Sequence, residues 1–263
     1  MLFRLLAVGD VVGETGLDFL LRRLRPLRRE LDVHFTVVNG ENAAGTGILP
    51  AQVQAIYDAG ADVVTLGNHT WSRAQIDSRL DDDPYLLRPA NFAPDRAGRG
   101  FGVYDGPRGL RVGVMNLMGR FNLDPDLADP FAAADRLLAG QDADLVFCDF
   151  HAEATSEKGA MGWYLDGRVQ ALWGTHTHVP TADARVLPRG TGFVTDLGMT
   201  GPVDSVLGVR PEDSINLFLG GERRRFQTAG GPCRLDACLF TVDTDTRRCV
   251  DARRVDVREG EKR

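Results

Sequence analysis

Four of the chain's five histidines stand in short polar clusters, and each cluster follows an apolar run of strand length. The clusters are Gly9-Asp10, Gly40-Glu41-Asn42, Gly67-Asn68-His69, Phe150-His151 and Gly174-Thr175-His176-Thr177-His178. Taken singly they say little, because an aspartate after a strand is commonly a helix cap and a lone histidine a satisfied polar residue. In α/β sheets, however, ligands collect outside the carboxyl ends of strands, so five such tips can converge on one crevice. Together they offer three imidazoles (His151, His176, His178), two carboxylates (Asp10, Glu41) and two amides (Asn42, Asn68). That is more than one tetrahedral zinc ion accepts. A mixed nitrogen and oxygen set of this size suits two divalent ions, Mn²⁺ or Fe²⁺ before a thiolate-rich zinc site. His176 and His178 are two apart, so an extended segment would turn both rings to one side. His34, placed inside a strand, is read as structural or surface, with no function.

These residues need a scaffold, and the apolar pattern supplies one. Residues 2–8, 33–38 and 63–66 read as strands, separated by helices. Leu17, Leu20, Leu21, Leu24, Leu27 and Leu31 recur at helical spacing, with Pro26 expected to kink or divide that helix. Pro50 opens a second helix carrying Val53, Ile56 and Tyr57, and Gly60 is placed to cap it. This β-α-β-α-β order with near-continuous apolar strands predicts a buried, partly parallel sheet. Residues 100–104 and 110–117 flank the turn Gly106-Pro107-Arg108-Gly109 and predict a hairpin. A helix near 131–139 and strands at 145–150, 169–173, 185–187, 192–195 and 235–242 then predict a second, mixed sheet packed on the first. No repeat or linker divides the chain, so 1–263 reads as one domain.

Composition narrows the class. The 31 Lys+Arg against 37 Asp+Glu give a formal net charge of −6, which disfavours a coat for long nucleic acid. No apolar stretch approaches the roughly 18 residues of a membrane span. The first eight residues resemble neither a signal nor a transit peptide, which predicts a cytoplasmic protein. Cys148, Cys233, Cys238 and Cys249 form no C-x-x-C pair and read as idle or buried thiols in a reducing compartment. The run Arg223-Arg224-Arg225 reads as a solvated loop or strand edge, the alternative being contact with a phosphate. The glycine-rich stretches Gly45-Thr46-Gly47 and Gly198-Met199-Thr200-Gly201 either bring backbone N–H groups, those of Thr200 and Gly201 among them, to a phosphate or are simply tight turns. Glu153, Glu157, Lys158 and Trp163 fall where a helix face is expected, with Trp163 also placed to pack against a base. Asn39 and Thr175 are candidates to orient ligands from behind. A homo-oligomer is the default expectation.

At the polar clusters the sequence resembles the calcineurin-like metallophosphoesterases, whose pattern is D-x-H, G-D, G-N-H, H and G-H-x-H. It is most similar to the bacterial YmdB-like phosphodiesterase branch. GDVVGETG, NGENAAGTGI, TLGNHTW, RPANF, HAEATSEKGAMGWYLDGRVQALWGTHTHVPTAD and TDLGMTGPVDSVLG carry that likeness almost end to end. The resemblance implies a four-layer α/β/β/α sandwich of two mixed sheets flanked by helices. Two departures from the wider superfamily stand out: Asp10-Val11-Val12 lacks the histidine of D-x-H, and Gly40-Glu41 replaces G-D. Both are usual in the YmdB-like branch, where the residue corresponding to Asn42 takes the vacated place. Carried over, Asp10, Glu41, Asn42 and His178 would hold one metal, and Glu41, Asn68, His151 and His176 the other, with Glu41 bridging. Fe or Mn is expected, with Mg and Zn as alternatives. Two ions about 3.5–4 Å apart would clamp a phosphoryl group and supply a bridging hydroxide as nucleophile. His69 resembles the family's general acid, the alternative being a hydrogen-bond donor behind the ligands. The implied activity is hydrolysis of small phosphodiesters, foremost 2′,3′-cyclic nucleotides. The alternatives are a metal-dependent phosphomonoesterase and a regulatory protein that binds a nucleotide or RNA end with negligible turnover.

Overall fold

The computed structural model describes residues 1–124, 127–222 and 224–260. Strand β1 (Leu2–Val8) bends at Gly9 into the short β2 (Asp10–Val11), and α1 (Gly13–Glu30) follows. β3 (Phe35–Asn39), α2 (Pro50–Ala59) and β4 (Val63–Thr65) complete the expected alternation. Next come α3 (Asp77–Asp82) and β5 (Leu86–Leu87), which the apolar pattern did not single out. The predicted hairpin is β6 (Phe101–Asp105) and β7 (Arg111–Met118), after which α4 (Pro130–Ala139) leads to β8 (Leu145–His151). α5 (Thr155–Leu165), β9 (Ala171–Thr175), β10 (Arg185–Val186) and β11 (Gly192–Val194) build out the second sheet. The chain returns to the first sheet through β12 (Met199–Pro202), passes α6 (Pro211–Phe218) and closes with β13 (Cys233–Asp243) and β14 (Arg248–Arg258).

β1, β3, β4 and β5 are parallel neighbours in that order. Antiparallel β13 pairs with β14 on one side. On the other it pairs with β1 and, further along, with β12. The second sheet runs β10-β11-β9-β8-β7-β6, parallel through β11, β9, β8 and β7 with an antiparallel strand at each edge. Alternation along β1 shows how the layers stack. Leu6 and Val8 face Leu17, Leu20, Leu24 and Leu27 of α1, whereas Phe3, Leu5 and Ala7 face the second sheet. Phe3 stacks on Phe147 there with ring centroids 5.9 Å apart. A third cluster, including Phe150, Met161 and Leu165, lies between the second sheet and helices α4 and α5. The result is the expected α/β/β/α sandwich.

Three expectations need correction. α1 runs unbroken through Pro26. Pro26 removes the N–H that would bond the Arg22 carbonyl, but both residues are exposed, so water can satisfy that oxygen. The segment containing Thr200 and Gly201 is strand, not turn, and the closing strand β14 was not anticipated. Its burial follows the pairing with β13 rather than a plain alternation. Two further points follow the reading: the four cysteines are free and buried, and no described helix is long and apolar enough to cross a membrane. Arg223 lies outside the described residues, as do residues 261–263 of the proposed domain.

Because α1 tolerates Pro26 only at the cost of one hydrogen bond and poor helix propensity, Pro26→Ala should stabilise the protein by about 1–3 kcal/mol. A higher urea midpoint is the expected readout. An unchanged or lower midpoint would show that the proline's restriction of the unfolded chain outweighs its cost in the helix.

Candidate metal centre

The polar clusters leave the two sheets on the same side. β1, β3 and β4 are mutually parallel and deliver Asp10, Glu41, Asn42 and Asn68 just past their ends. β8 and β9, parallel in the second sheet, deliver His151 and His176. Gly67 explains the glycine in Gly67-Asn68-His69: a Cβ there would stand 2.3 Å from His151 Nε2 and 2.4 Å from Glu41 Oε2. No side chain fits where these two groups meet.

Four ligand-type atoms crowd one point. His151 Nε2 is 2.9 Å from Asn68 Oδ1, 3.1 Å from His176 Nδ1 and 3.2 Å from Glu41 Oε1. Neighbouring donors on an octahedral ion with bonds of about 2.1 Å lie roughly 3.0 Å apart, so this spacing is that of atoms arranged to surround a cation. Glu41, His151 and His176 place ligand atoms all within 4.8 Å of one another. A second group adjoins the first. His178 Nε2 lies 3.8 Å from Asp10 Oδ1 and 3.2 Å from Asn42 Nδ2, and the Asn42 amide donates to Glu41 Oε1 at 3.1 Å. Glu41 therefore touches both groups. Asp10 is fully buried, and its Oδ1 has no hydrogen-bond partner among the described residues. A carboxylate oxygen buried in this way is costly unless a cation completes it. The orphaned oxygen and the nitrogen and oxygen donors fit divalent metal.

Each imidazole is tied back at its other nitrogen. His151 Nδ1 lies 3.0 Å from Thr175 Oγ1, His176 Nε2 lies 3.0 Å from Glu153 Oε2, and His178 Nδ1 lies 2.9 Å from the Leu207 carbonyl oxygen. With the proton on the tied nitrogen, the opposite nitrogen turns its lone pair to the cluster. The Thr175 hydroxyl donates to Asp149 Oδ1 at 2.7 Å, and Asp149 Oδ2 accepts from Thr65 and Asn39. Burial pushes the Asp10 carboxyl up to about 6, against the pull of His178 and His151. Burial would raise Glu41 as well, but His151 and His69 beside it hold it well below the carboxylate range. Burial disfavours charge on His151, yet the Glu41 carboxylate more than offsets this and lifts it to about 9, so a metal ion bound at Nε2 would take the place of a proton there. His176, buried against charged His151, falls to about 3.

Comparison with known proteins places the chain in a family. The profile of the YmdB-like protein family matches residues 6–255. The chain belongs to the YmdB-like family. A 2′,3′-cyclic-nucleotide 2′-phosphodiesterase of Bacillus subtilis (strain 168) is 45% identical over 255 residues, covering 96% of each chain. A crystal structure of a hypothetical protein from Thermus thermophilus superposes with a TM-score of 0.92 at 40% identity, covering 98% of this chain and 100% of that one. A crystal structure described as a novel phosphatase of Mycoplasma pneumoniae also gives 0.92, at 33% identity, covering 98% and 94%.

In this YmdB-like chain the two histidines of Gly174-Thr175-His176-Thr177-His178 converge by a route other than strand alternation. β9 ends at Thr175, and His176 and His178 have φ of 101° and 62°. Left-handed backbone aims His176 at His151 and His178 at Asp10, and such values in non-glycine residues persist only where surrounding contacts impose them. The imposing contact is buried: Lys158 Nζ pairs with Asp196 Oδ2 at 2.6 Å, and that oxygen also accepts from Thr177 Oγ1 at 2.7 Å. Lys158 thus lies in the interior, not on a solvated helix face.

The centre opens into a cavity of about 690 Å³ floored by Glu41, Asn42, His69, His176 and His178. The His69 backbone N–H donates to Glu41 Oε2 at 3.1 Å. Thr200 and Gly201 do not line this cavity. Both are buried in β12, where they stand in antiparallel register with Leu235 and Arg234 of β13, so the segment is a sheet strand and not a phosphate-facing loop. Gly45 and Thr46 border the cavity as part of a tight turn in which Gly45 N–H donates to the Asn42 carbonyl. Trp163 is exposed on α5, away from the cavity, with Arg185 over its ring. Sequence reasoning passed over Asp149 and Asp196. The signal for Asp149 was an acidic residue interrupting an otherwise apolar strand.

Asp149→Asn keeps the volume but replaces one acceptor with a donor facing hydroxyl groups. Divalent metal affinity should fall about 10–100-fold with the fold retained, measured by Mn²⁺ titration alongside circular dichroism. Unaltered affinity would show that Thr175 orients His151 unaided.

Proposed function

We propose that this chain is a dinuclear, divalent metal-dependent phosphodiesterase that hydrolyses small cyclic nucleotides, 2′,3′-cyclic nucleotides foremost, in the cytoplasm. One observation carries the reading: two groups of ligand atoms share Glu41 in the lining of a cavity, beside a buried carboxylate oxygen with no hydrogen-bond partner among the described residues. Asp10, Glu41, Asn42 and His178 hold one ion, and Glu41, Asn68, His151 and His176 the other. The donor set suits Fe or Mn. When bound, the ions supply Lewis acidity, neutralising phosphoryl oxygens and acidifying water.

The protein's own groups do the rest. Thr175, Glu153 and the Leu207 carbonyl fix the imidazole orientations, so little reorganisation accompanies reaction. His69 lines the cavity with its backbone anchored on Glu41, which supports the reading that its ring gives a proton to the leaving alkoxide. The activity named for the Bacillus subtilis relative supports the cyclic-nucleotide substrate. A net charge of −6 supports a small anion over long RNA, whose binding draws on many basic contacts. Four buried free thiols suit a reducing compartment. Exposed Ile215, Phe218 and Leu219 support assembly with further copies of the chain.

The test is hydrolysis of bis-p-nitrophenyl phosphate and 2′,3′-cyclic AMP with Mn²⁺ or Fe²⁺ supplied and bound metal counted by elemental analysis. Wild type should turn over both with about two ions bound, and Asn68→Ala should lose metal and activity together. His69→Ala should keep both ions and lose about 10²-fold or more in kcat. Two ions without turnover would favour the binding-protein alternative. A preference for p-nitrophenyl phosphate over its bis ester would favour a phosphomonoesterase.

A further inference from the structure

Beside its metal-ligand-type groups the cavity is lined by two half-exposed apolar side chains, set among Arg225, Gln227 and Thr228. Leu207 and Phe226 border it, 48% and 46% exposed, and neither packs into the three hydrophobic cores. Leu207 stands in a two-residue turn, with Val206 N–H donating to the Val209 carbonyl and Val209 N–H to the Val206 carbonyl. Both central residues have positive φ, 55° at Leu207 and 94° at Gly208. Turns of this kind favour Asn, Asp or Gly at the first central position, and a branched apolar residue there is strained. Strain of this sort clusters where function requires the side chain.

The two side chains ride on one unit. Val209 bridges to Thr228, Arg210 N–H donates to the Gln227 carbonyl, and Ala229 N–H donates to the Gly208 carbonyl. The same turn holds the centre, because the Leu207 carbonyl oxygen is the partner of His178 Nδ1. An aromatic ring and a leucine, half exposed and lining the same cavity as the metal-ligand-type side chains, offer apolar surface beside them.

We infer that Leu207 and Phe226 grip the nucleobase of the substrate while the floor holds its cyclic phosphate. The inference rests on the hydrolase reading above and adds which part of the substrate the cavity selects. The contact is stacking and van der Waals packing, so it favours nucleotides over base-free cyclic phosphates without choosing strongly among bases.

The test compares 2′,3′-cyclic AMP with ethylene phosphate, a five-membered cyclic phosphodiester that lacks a base. In Phe226→Ala the ratio of kcat/KM for the nucleotide to that for ethylene phosphate should fall about tenfold, mainly through KM on the nucleotide, as expected for the loss of one base–aromatic stack. Phe226→Tyr should restore the ratio. Leu207→Asn should lower the ratio while its Tm equals or exceeds that of wild type, since asparagine suits the turn better. A ratio within about twofold of wild type in both Phe226→Ala and Leu207→Asn overturns the inference while leaving the hydrolase reading intact. Wild type inert towards both substrates overturns the two together. Where wild type acts on the nucleotide alone, the nucleotide KM decides by the same tenfold criterion.

Discussion

The rest of the structure depends on the burial of Glu41. Its carboxylate is 1% exposed, yet it meets His151, the Asn42 amide and the His69 N–H. A charge so placed is tolerable only when surrounded by donors or cations, because isolated burial costs several kcal/mol or more. Each surrounding group comes from a different strand end. The sandwich supplies them: β3 and β4 bring Glu41 and Asn68 from one sheet, and β8 and β9 bring His151 and His176 from the other. Were the sheets to slide relative to each other, the carboxylate would lose its partners. The apolar layer holding Phe3 against Phe147 and Trp173 against Phe240 fixes that register.

A second buried ion pair serves the same end from behind. Lys158 and Asp196 are 1% and 2% exposed, and Asp196 reaches the centre through Thr177 on one side and through Gly198, whose carbonyl accepts from the Asp10 N–H, on the other. Gly174 is compressed into the same space, for a Cβ there would lie 1.8 Å from the Thr195 carbonyl oxygen. A buried pair contributes little net stability over a well-packed apolar one but is badly missed when one partner goes. Here it holds a left-handed segment that an unsupported chain would leave. The pair's contribution lies in shape more than in total stability.

The sequence made the site more legible than the scaffold around it. Asp10, Glu41, Asn42, Asn68, His151, His176 and His178 each follow an apolar run, and the structure gathers all of them. Helices α1 and α2 and the strands of the first half were visible because their periodicities are undisturbed by long-range pairing. β5, β12 and β14 were not, since two are very short and the third takes its burial from β13. The Thr200 and Gly201 reading failed for the same reason: glycine marks both phosphate loops and sites of close backbone approach, and Gly16 presses on the Thr200 carbonyl here. Lys158 was misread because a charge at a helical position ordinarily faces water, and only its partner thirty-eight residues on reverses that.

The turn at Leu207 links two demands that are separate in the sequence. Its carbonyl orients His178, and so the lone pair offered to the metal, while its side chain shapes the wall of the cavity. A change at this turn that moved the backbone would disturb the centre, whereas one confined to the side chain would disturb only what the cavity admits. The backbone role requires only a fixed carbonyl, which asparagine or glycine at position 207 would supply with less strain. The leucine is therefore not explained by the centre. Its side chain is explained by the cavity, and the cost of holding φ at 55° measures how much that wall matters to the protein.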